Sequence, residues 1–341
     1  MSDACRHRPA RRLAAVLALA ALAACAAPAR RPEPIILRVA YPGSADFDDL
    51  PSLLAHASLE TQGYKVETTH YRVSELAAEA LARGDAQFAS GSIRTYWAAA
   101  SRGAPVRTVM DHAADVHQLV VESDIRDCEG LEGQSFALHS AGAVGAALAR
   151  AYLAEECAGV RPRFLMVPNS DNRAAALLAG AVRASVLTLA EVLRLEQQAP
   201  GRFRVLSDFA ARWPHVKTTG AYVNVQFAAA HRDVVRDYVR ARVIAHRDVL
   251  ADRRQLPAQA SQRLGPSAFW PLVAEAYLDT RAWDPDGGLT RSDIERTLAF
   301  FIAHGSLDAG LTVDAVADLS YLASVLDELG RYPGVPGQDG R

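Results

Sequence analysis

The 341-residue chain is poor in aromatics (7%) and has only four cysteines, and neither sign of charge dominates, with 37 Lys and Arg against 39 Asp and Glu. Near-balance of charge excludes a protein that grips nucleic acid by general phosphate neutralisation. The cysteines form neither a CxxC redox pair nor a four-ligand zinc spacing. No G-x-S-x-G elbow, Walker loop or HExxH occurs, and no repeat with a period of 20–50 residues. Beyond the extreme N-terminus no run approaches the roughly 20 apolar residues of a membrane span, which excludes a polytopic helical membrane protein. What is there is ordinary globular composition, 50% hydrophobic and 22% charged, long enough for two domains or one large one.

The N-terminus speaks to compartment. Arg6, Arg8, Arg11 and Arg12 precede an uninterrupted Ala/Leu/Val run from Leu13 to Ala24, a basic region and apolar core of secretory-signal type. The run is too short for a stable membrane anchor. It ends in Leu22-Ala23-Ala24-Cys25, which resembles the lipobox of bacterial lipoproteins. That resemblance implies a signal peptide over 1–24, a diacylated Cys25 and two-chain membrane anchoring; the alternative is an ordinary signal with a chance cysteine. Loss of residues 1–24 leaves 33 basic and 38 acidic residues of the original 37 and 39, a net charge of −5. Residues 25–34, with Pro28, Pro32 and Pro34, read as the lipidated cysteine and an extended spacer. In an oxidising compartment the remaining Cys128 and Cys157 are expected to form a disulfide; two free thiols are the alternative.

Short β-branched runs then alternate with helical patterns, the grammar of α/β units around mainly parallel sheets. Strands are expected at Ile35–Tyr41, Tyr64–Thr69, Ala86–Ala89 and Val106–Met110, with helices at Leu50–Thr61, Ser74–Arg83 and Thr95–Arg102. The same pattern repeats with strands at Leu119–Glu122, Ser135–Leu138, Phe164–Val167, Ala184–Thr188 and Phe203–Leu206, and helices at Val144–Ala154 and Asp171–Ala179. Tyr222–Val225 reads as a return strand. Helices follow over Arg232–Asp252, Ala258–Leu264, Ser267–Leu278, Arg291–His304 and Val313–Leu329. In the first of these Val235, Tyr238, Val239 and Val243 form the apolar stripe, with Arg236, Arg240 and Arg247 facing outward. Residues 330–341, rich in Gly and Pro, read as a flexible tail.

Open α/β sheets bind ligands outside the carboxyl ends of strands. Three small, hydroxyl-rich loops stand at such ends: Pro42–Asp46, Ser90–Ser92 and His139–Gly142. Each offers serine hydroxyls and free backbone N–H groups to a polar or anionic ligand. Each is equally an ordinary helix N-cap. The block Gly84-Asp85-Ala86-Gln87-Phe88-Ala89-Ser90-Gly91-Ser92, its continuation Ala98–Val106, and the stretches Leu131–Ala137 and Ala175–Ala184 resemble the substrate-binding proteins of ABC importers, in the branch for nitrate, sulfonates, taurine and thiamine precursors. Gln87 and Arg183 depart from the acidic residues common in that family. The resemblance covers about residues 35–250.

It implies a type II periplasmic-binding-protein fold: two α/β lobes, each a mainly parallel sheet flanked by helices, with an extra helical C-terminal region. Lobe one comprises 35–117 plus 221–329 and lobe two 118–219, with crossings near Asp115–Gln118 and Thr218–Gly220. By position, Tyr41, Ser44, Ser90, Gly91 and Ser92 of lobe one line the ligand cleft. Ser140, Gly142, Ala143 and Thr188 of lobe two join them, with Tyr222 and Asn224 at the return and His112 after the fourth strand. Among the larger aromatics (Tyr41, Tyr96, Trp97, Trp213, Tyr222, Trp270, Trp283), only Tyr41 and Tyr222 stand at strand ends suited to stacking on a ligand. Arg94 could pair with a sulfonate or carboxylate. His112 and His117 with Asp111 and Asp115 match no common metal spacing, so no metal or cofactor is expected.

The resulting expectation is a monomeric, lipid-anchored solute-binding protein of the bacterial cell envelope, periplasmic or on the outer face of the cytoplasmic membrane. Its partners are a small-molecule ligand (sulfonate-, taurine- or nitrate-like, or heteroaromatic), an ABC permease and its ATPase, and not nucleic acid. Enzymes on the same fold acting on thiamine-pathway or aromatic compounds, and importer-independent sensor lipoproteins, are the alternatives.

Overall fold

The computed structural model describes residues 34–333. The expected signal peptide, the lipidated Cys25, nearly all of the spacer and most of the tail lie outside the described residues. In the first half, β1 (Ile36–Pro42), α1 (Leu50–Thr61), β2 (Lys65–Tyr71), α2 (Ser74–Arg83), β3 (Phe88–Ser92), α3 (Ile93–Ser101) and β4 (Val106–Asp111) alternate. The second run is β5 (His117–Glu122), β6 (Ser135–Leu138), α4 (Val144–Glu156), β7 (Arg163–Met166), α5 (Ser170–Leu178), β8 (Ala184–Thr188), α6 (Leu189–Gln198), β9 (Phe203–Asp208) and the short α7 (Phe209–Arg212). The chain then returns through β10 (Thr219–Asn224) and α8 (Val225–Ala230). It ends in α9 (Arg232–Ala251), α10 (Leu256–Leu264), α11 (Trp270–Asp279), α12 (Arg291–Ala303), α13 (Val313–Val316) and α14 (Ser320–Leu329).

Local chemistry sets several boundaries. Pro51 opens α1, where its missing N–H has no intrahelical partner to lose. Gly84 closes α2 at φ +82°, the left-handed conformation glycine adopts without a Cβ penalty. Asn224 ends β10 and caps α8, accepting from Gln226 N and Phe227 N.

The strands form two five-stranded sheets, ordered β2-β1-β3-β10-β4 and β7-β6-β8-β5-β9. Each is parallel except for its fourth strand, β10 in the first and β5 in the second, which runs antiparallel to both neighbours. Both exceptions are strands that have just crossed from the other sheet. The outward crossing falls between Asp111 and His117, the return between Asp208 and Thr219.

Three features differ from the expected pattern for physical reasons. Ser90-Gly91-Ser92 belongs to β3 rather than to a loop, because its backbone pairs with Ala221, Gly220 and Thr219 of β10. The helix expected over Val313–Leu329 is broken at Ala317, which is extended and bridges Thr108 in parallel, covering the edge strand β4. In α9 the apolar stripe is buried as expected, and Arg236 and Arg240 face outward to Glu328. Arg247 instead turns inward, donating to Pro285 O (2.9 Å), Asp286 (2.8 Å) and Gly330 O (2.6 Å). The helices α10 and α11 gather with Phe47, Leu50, Val116 and Ala190 into a core of their own beside the cleft. Among the described residues no helix is long and apolar enough to cross a membrane.

Candidate functional site

A cavity of about 660 Å³ opens between the two sheets. The carboxyl end of β3 and the turn after β1 supply Ser44, Asp46, Asp48, Ser90, Gly91 and Ser92 to one wall. The opposite wall holds Ala143, Val144, Asn169, Arg173, Thr188 and Glu191. A third wall, Gly265 to Trp270, comes from the link between α10 and α11. Gly91 is needed where it stands: its φ is +137°, and a Cβ there would meet Pro42 Cγ at 2.8 Å.

Beneath the first wall runs a buried polar chain. Arg242, completely buried on α9, donates to Ser90 Oγ (3.0 Å) and to His112 Nδ1 (2.9 Å), and His112 Nε2 meets Asp49 Oδ1 at 3.0 Å. Burial lowers the His112 pKa, with Asp49 opposing the shift. Ser52 Oγ lies 3.4 Å from His112 Nδ1, so Ser52, His112 and Asp49 are arranged superficially like a hydrolase triad. Arg242 already donates to that nitrogen, which leaves it no lone pair to take a serine proton, and Ser52 is 1% exposed and outside the cavity lining. The chain is a scaffold for the Ser90 edge, not a nucleophile.

The lobes are hydrogen-bonded to each other across the cleft. The Glu75 carboxylate accepts from Ser140 Oγ (3.0 Å) and from Gly142 N (2.9 Å). Ser92 Oγ accepts from Val144 N (3.0 Å) at the start of α4, as well as from Thr95 N (3.3 Å). Thr188 Oγ1 donates to Asp46 Oδ2 (3.1 Å), and Asn169 Nδ2 to Ser44 Oγ (3.3 Å). Arg94 braces the junction, donating to Gly142 O (3.1 Å) and Ser306 O (3.2 Å).

Of the residues singled out from the sequence, Ser44, Ser90, Gly91, Ser92, His112, Ala143 and Thr188 meet around the cavity. Ser140 and Gly142 lie beside it, held by Glu75. Tyr41 is buried and stacks on His70 at 5.5 Å. Tyr222 stacks on Tyr96 at 3.7 Å and donates its hydroxyl to Gly91 O, supporting the wall from behind. Asn224 sits at the far end of its sheet, opposite Val106, because β10 is antiparallel. The large aromatics that line the space are Phe269 and Trp270. The His/Asp cluster is dispersed: Asp111 pairs with Lys217 (2.9 Å), and His117 Nδ1 with Asp115 (2.7 Å). Among the described residues no group of three or more His, Cys, Asp or Glu is placed to hold a metal ion. Away from the cleft, the Cys128 and Cys157 sulfurs lie at bonding distance with Cα atoms 5.3 Å apart, a normal disulfide span.

Sequence reasoning missed the acidic side of the cavity: Asp46, Asp48, Asp49, Asp171 and Glu191 line it beside Arg173 and Arg194. Asp46 closes the first hydroxyl-rich loop and Asp48 and Asp49 follow it directly, a visible signal; Glu191 is on α6, which was not read as a helix. Burial lifts the Asp46 and Asp48 carboxyls, and raises Glu191 to about 7 with Asp46 adding to the shift. Burial also pushes His139, which lines the cavity, down to about 4.

Two five-stranded sheets crossed twice by the chain, with a cavity between them, define the two-lobed periplasmic-binding-protein fold. The chain belongs to the NMT1/THI5-like family, whose model matches residues 59–255. No curated protein sequence matches it. Solved structures share the fold at low identity. A Bordetella bronchiseptica RB50 protein superposes with a TM-score of 0.73 at 16% identity, over 87% of this chain and 98% of that one. The alkanesulfonate-binding protein SsuA of Xanthomonas axonopodis pv. citri, solved with MOPS, gives 0.67 at 20%, over 84% and 99%. The nitrate-binding protein NrtA of Synechocystis PCC 6803 gives 0.67 at 14%, over 88% and 90%.

Proposed function

We propose that this protein is an extracytoplasmic solute-binding lipoprotein that captures a small polar organic solute between its lobes and delivers it to an ABC permease and its ATPase. The observation that carries the reading is the 660 Å³ cavity bounded by both sheets, in a chain that crosses between them twice. The names of the similar structures, binding proteins for alkanesulfonate and nitrate, support the same class of role. Residues 35–117 with 221–329 form one lobe and 118–219 the other, turning about the crossings near 115–118 and 218–220. Helix α12 braces the joint, since Thr297 Oγ1 accepts from Lys217 N and Phe300 rests on Trp213.

No covalent step is involved. A ligand that touches both walls favours the closed arrangement because it binds that arrangement more tightly than the open one. Ser44, Ser90, Gly91, Ser92, His112, Ala143 and Thr188 contact or shape the ligand. Cys25 carries the lipid anchor, Cys128 and Cys157 form a disulfide suited to the cell envelope, and the protein acts as a monomer. A thermal-shift screen of the protein tests the reading. Ligand at a hundred times its dissociation constant stabilises by about 2.7 kcal/mol, a shift of several degrees. The expected result is such a shift with the compound recovered unchanged. Chemical conversion of the compound would overturn it in favour of an enzyme.

A further inference from the structure

The charge inside the cleft bears on which solute fits. Five carboxylates line it, Asp46, Asp48, Asp49, Asp171 and Glu191, against two arginines. Both arginines are committed. Arg173 is buried and donates to Val186 O (2.9 Å) and Val167 O (3.2 Å), and Arg194 reaches Glu191 Oε1 at 3.5 Å. The buried Arg242 serves Ser90 and His112 from behind the wall, and His112, at the lining, is itself paired with Asp49. Glu191 is the decisive side chain: it lines the cavity at 3% exposure, and its Oε2 is buried with no hydrogen-bond partner. A buried carboxylate oxygen left without a donor is costly, so a donor brought by the ligand is strongly favoured there.

The donors at the start of α4 that could have held an anion are already taken, and the unpartnered donor left in the lining is His139 Nε2, on a neutral ring. At the start of α4, Gly142 N and Ser140 Oγ hold the Glu75 carboxylate, and Val144 N holds Ser92 Oγ. At that helix start an incoming sulfonate or nitrate would have to displace the Glu75 carboxylate, with five more carboxyls in the cavity lining. The third wall adds Phe269 and Trp270, aromatic surface suited to an apolar body or to a cation lying over a ring.

We propose that the cavity takes a small organic cation, an ammonium or amidinium group on an apolar or aromatic body, with Glu191 as its principal acceptor. This rests on the solute-binding reading and names the charge class of its ligand. Asp46 and Asp48 add two more carboxyls to the wall; burial raises both, with Asp49 adding to the shift. Arg194 opposes the shift at Asp46, whereas no cation opposes it at Asp48, a demand that a cationic ligand meets.

The test is isothermal titration of the full protein with probes that share one body and differ in charge: benzylamine and benzamidine, benzyl alcohol, and benzenesulfonate, with agmatine, taurine and nitrate alongside. The cations are expected to bind at least tenfold more tightly than their neutral and anionic counterparts. Glu191→Gln is expected to weaken them tenfold or more, and Asp48→Asn, a second variant that keeps side-chain size, by a smaller factor. Binding by benzenesulfonate, taurine or nitrate with the cations silent overturns the charge assignment and leaves the solute-binding reading standing. Silence from every probe, or cation affinity unchanged in Glu191→Gln, overturns it too. Conversion of a bound amine overturns the solute-binding reading instead, and mass spectrometry of the recovered probe separates that case.

Discussion

The two sheets have the same strand order and the same antiparallel fourth strand, and each places a serine-bearing segment at its cleft end. The fates of those segments differ. Ser90 and Ser92 of the first sheet line the cavity, with Ser90 supported from below by Arg242. Ser140 of the second is bonded to a carboxylate from the opposite lobe. Matching composition at matching positions thus produced one cavity wall, which also bonds across the cleft through Ser92 Oγ, and one segment given over to interlobe fastening. What separates them is the charged partner each meets: a buried guanidinium behind the first, an acid across the cleft for the second.

That contrast can be broken from either side. The largest effect is expected from Arg242→Met, which removes the support of the first segment and leaves Ser90 and His112 without a buried donor. It should cost about 3–5 kcal/mol, read as a lowered urea midpoint. An unchanged midpoint would show that the first wall stands without its guanidinium. On the side of the second sheet, Cys128→Ser with Cys157→Ser should cost about 2–4 kcal/mol, because the pair stands at a sequence separation of 29. Equal melting of oxidised and reduced protein would show that no bond forms.

A smaller effect is tied to pH. The folded Glu191 pKa, about 7, exceeds its unfolded value near 4.5, so this group loses stability for the protein as pH rises from 4.5 through 7. Ligand-free Glu191→Gln is therefore expected to melt above the parent protein at pH 8 and to match it at pH 4; a gap that does not change with pH would refute the shift. The smallest effect belongs to the fastening itself. Glu75→Gln should cost about 1 kcal/mol, and small-angle scattering should show a wider ligand-free particle. An unaltered radius of gyration would mean that the other cross-cleft bonds suffice.

Much of the fold could be read ahead because period and punctuation agree along the chain. The helices Leu50–Thr61 and Ser74–Arg83 and the strands Ser135–Leu138 and Ala184–Thr188 have the bounds expected of them. Pro51 and Gly84 show why for the two helices: the stop and start signals are local. Long-range pairing was not legible. Ser90-Gly91-Ser92 became strand because β10 returned to pair with it, and Ala317 broke a helical pattern to bridge Thr108. In the site the serines were legible from their place after strands, whereas Trp270 was not. It is more than 170 residues downstream of Ser90, and only the packing of α10 and α11 beside the cleft brings the two together. Arg242 was hidden in an otherwise apolar stripe, where its neighbours in sequence give no hint of Ser90 and His112.

The third wall has a consequence for how such a protein could change. It is carried by a stretch that packs as its own cluster around Phe47, Trp270, Tyr277 and Trp283, and that adds no strand to either sheet. Substitutions between Leu264 and Trp270 can therefore alter the size and character of the chamber without changing any strand pairing, while the cluster they belong to also packs on the outward crossing at Ala113 and Val116 and on the second half at Ala190. Change in what the chamber admits has, in that link, a place to act that leaves the paired strands of both sheets untouched.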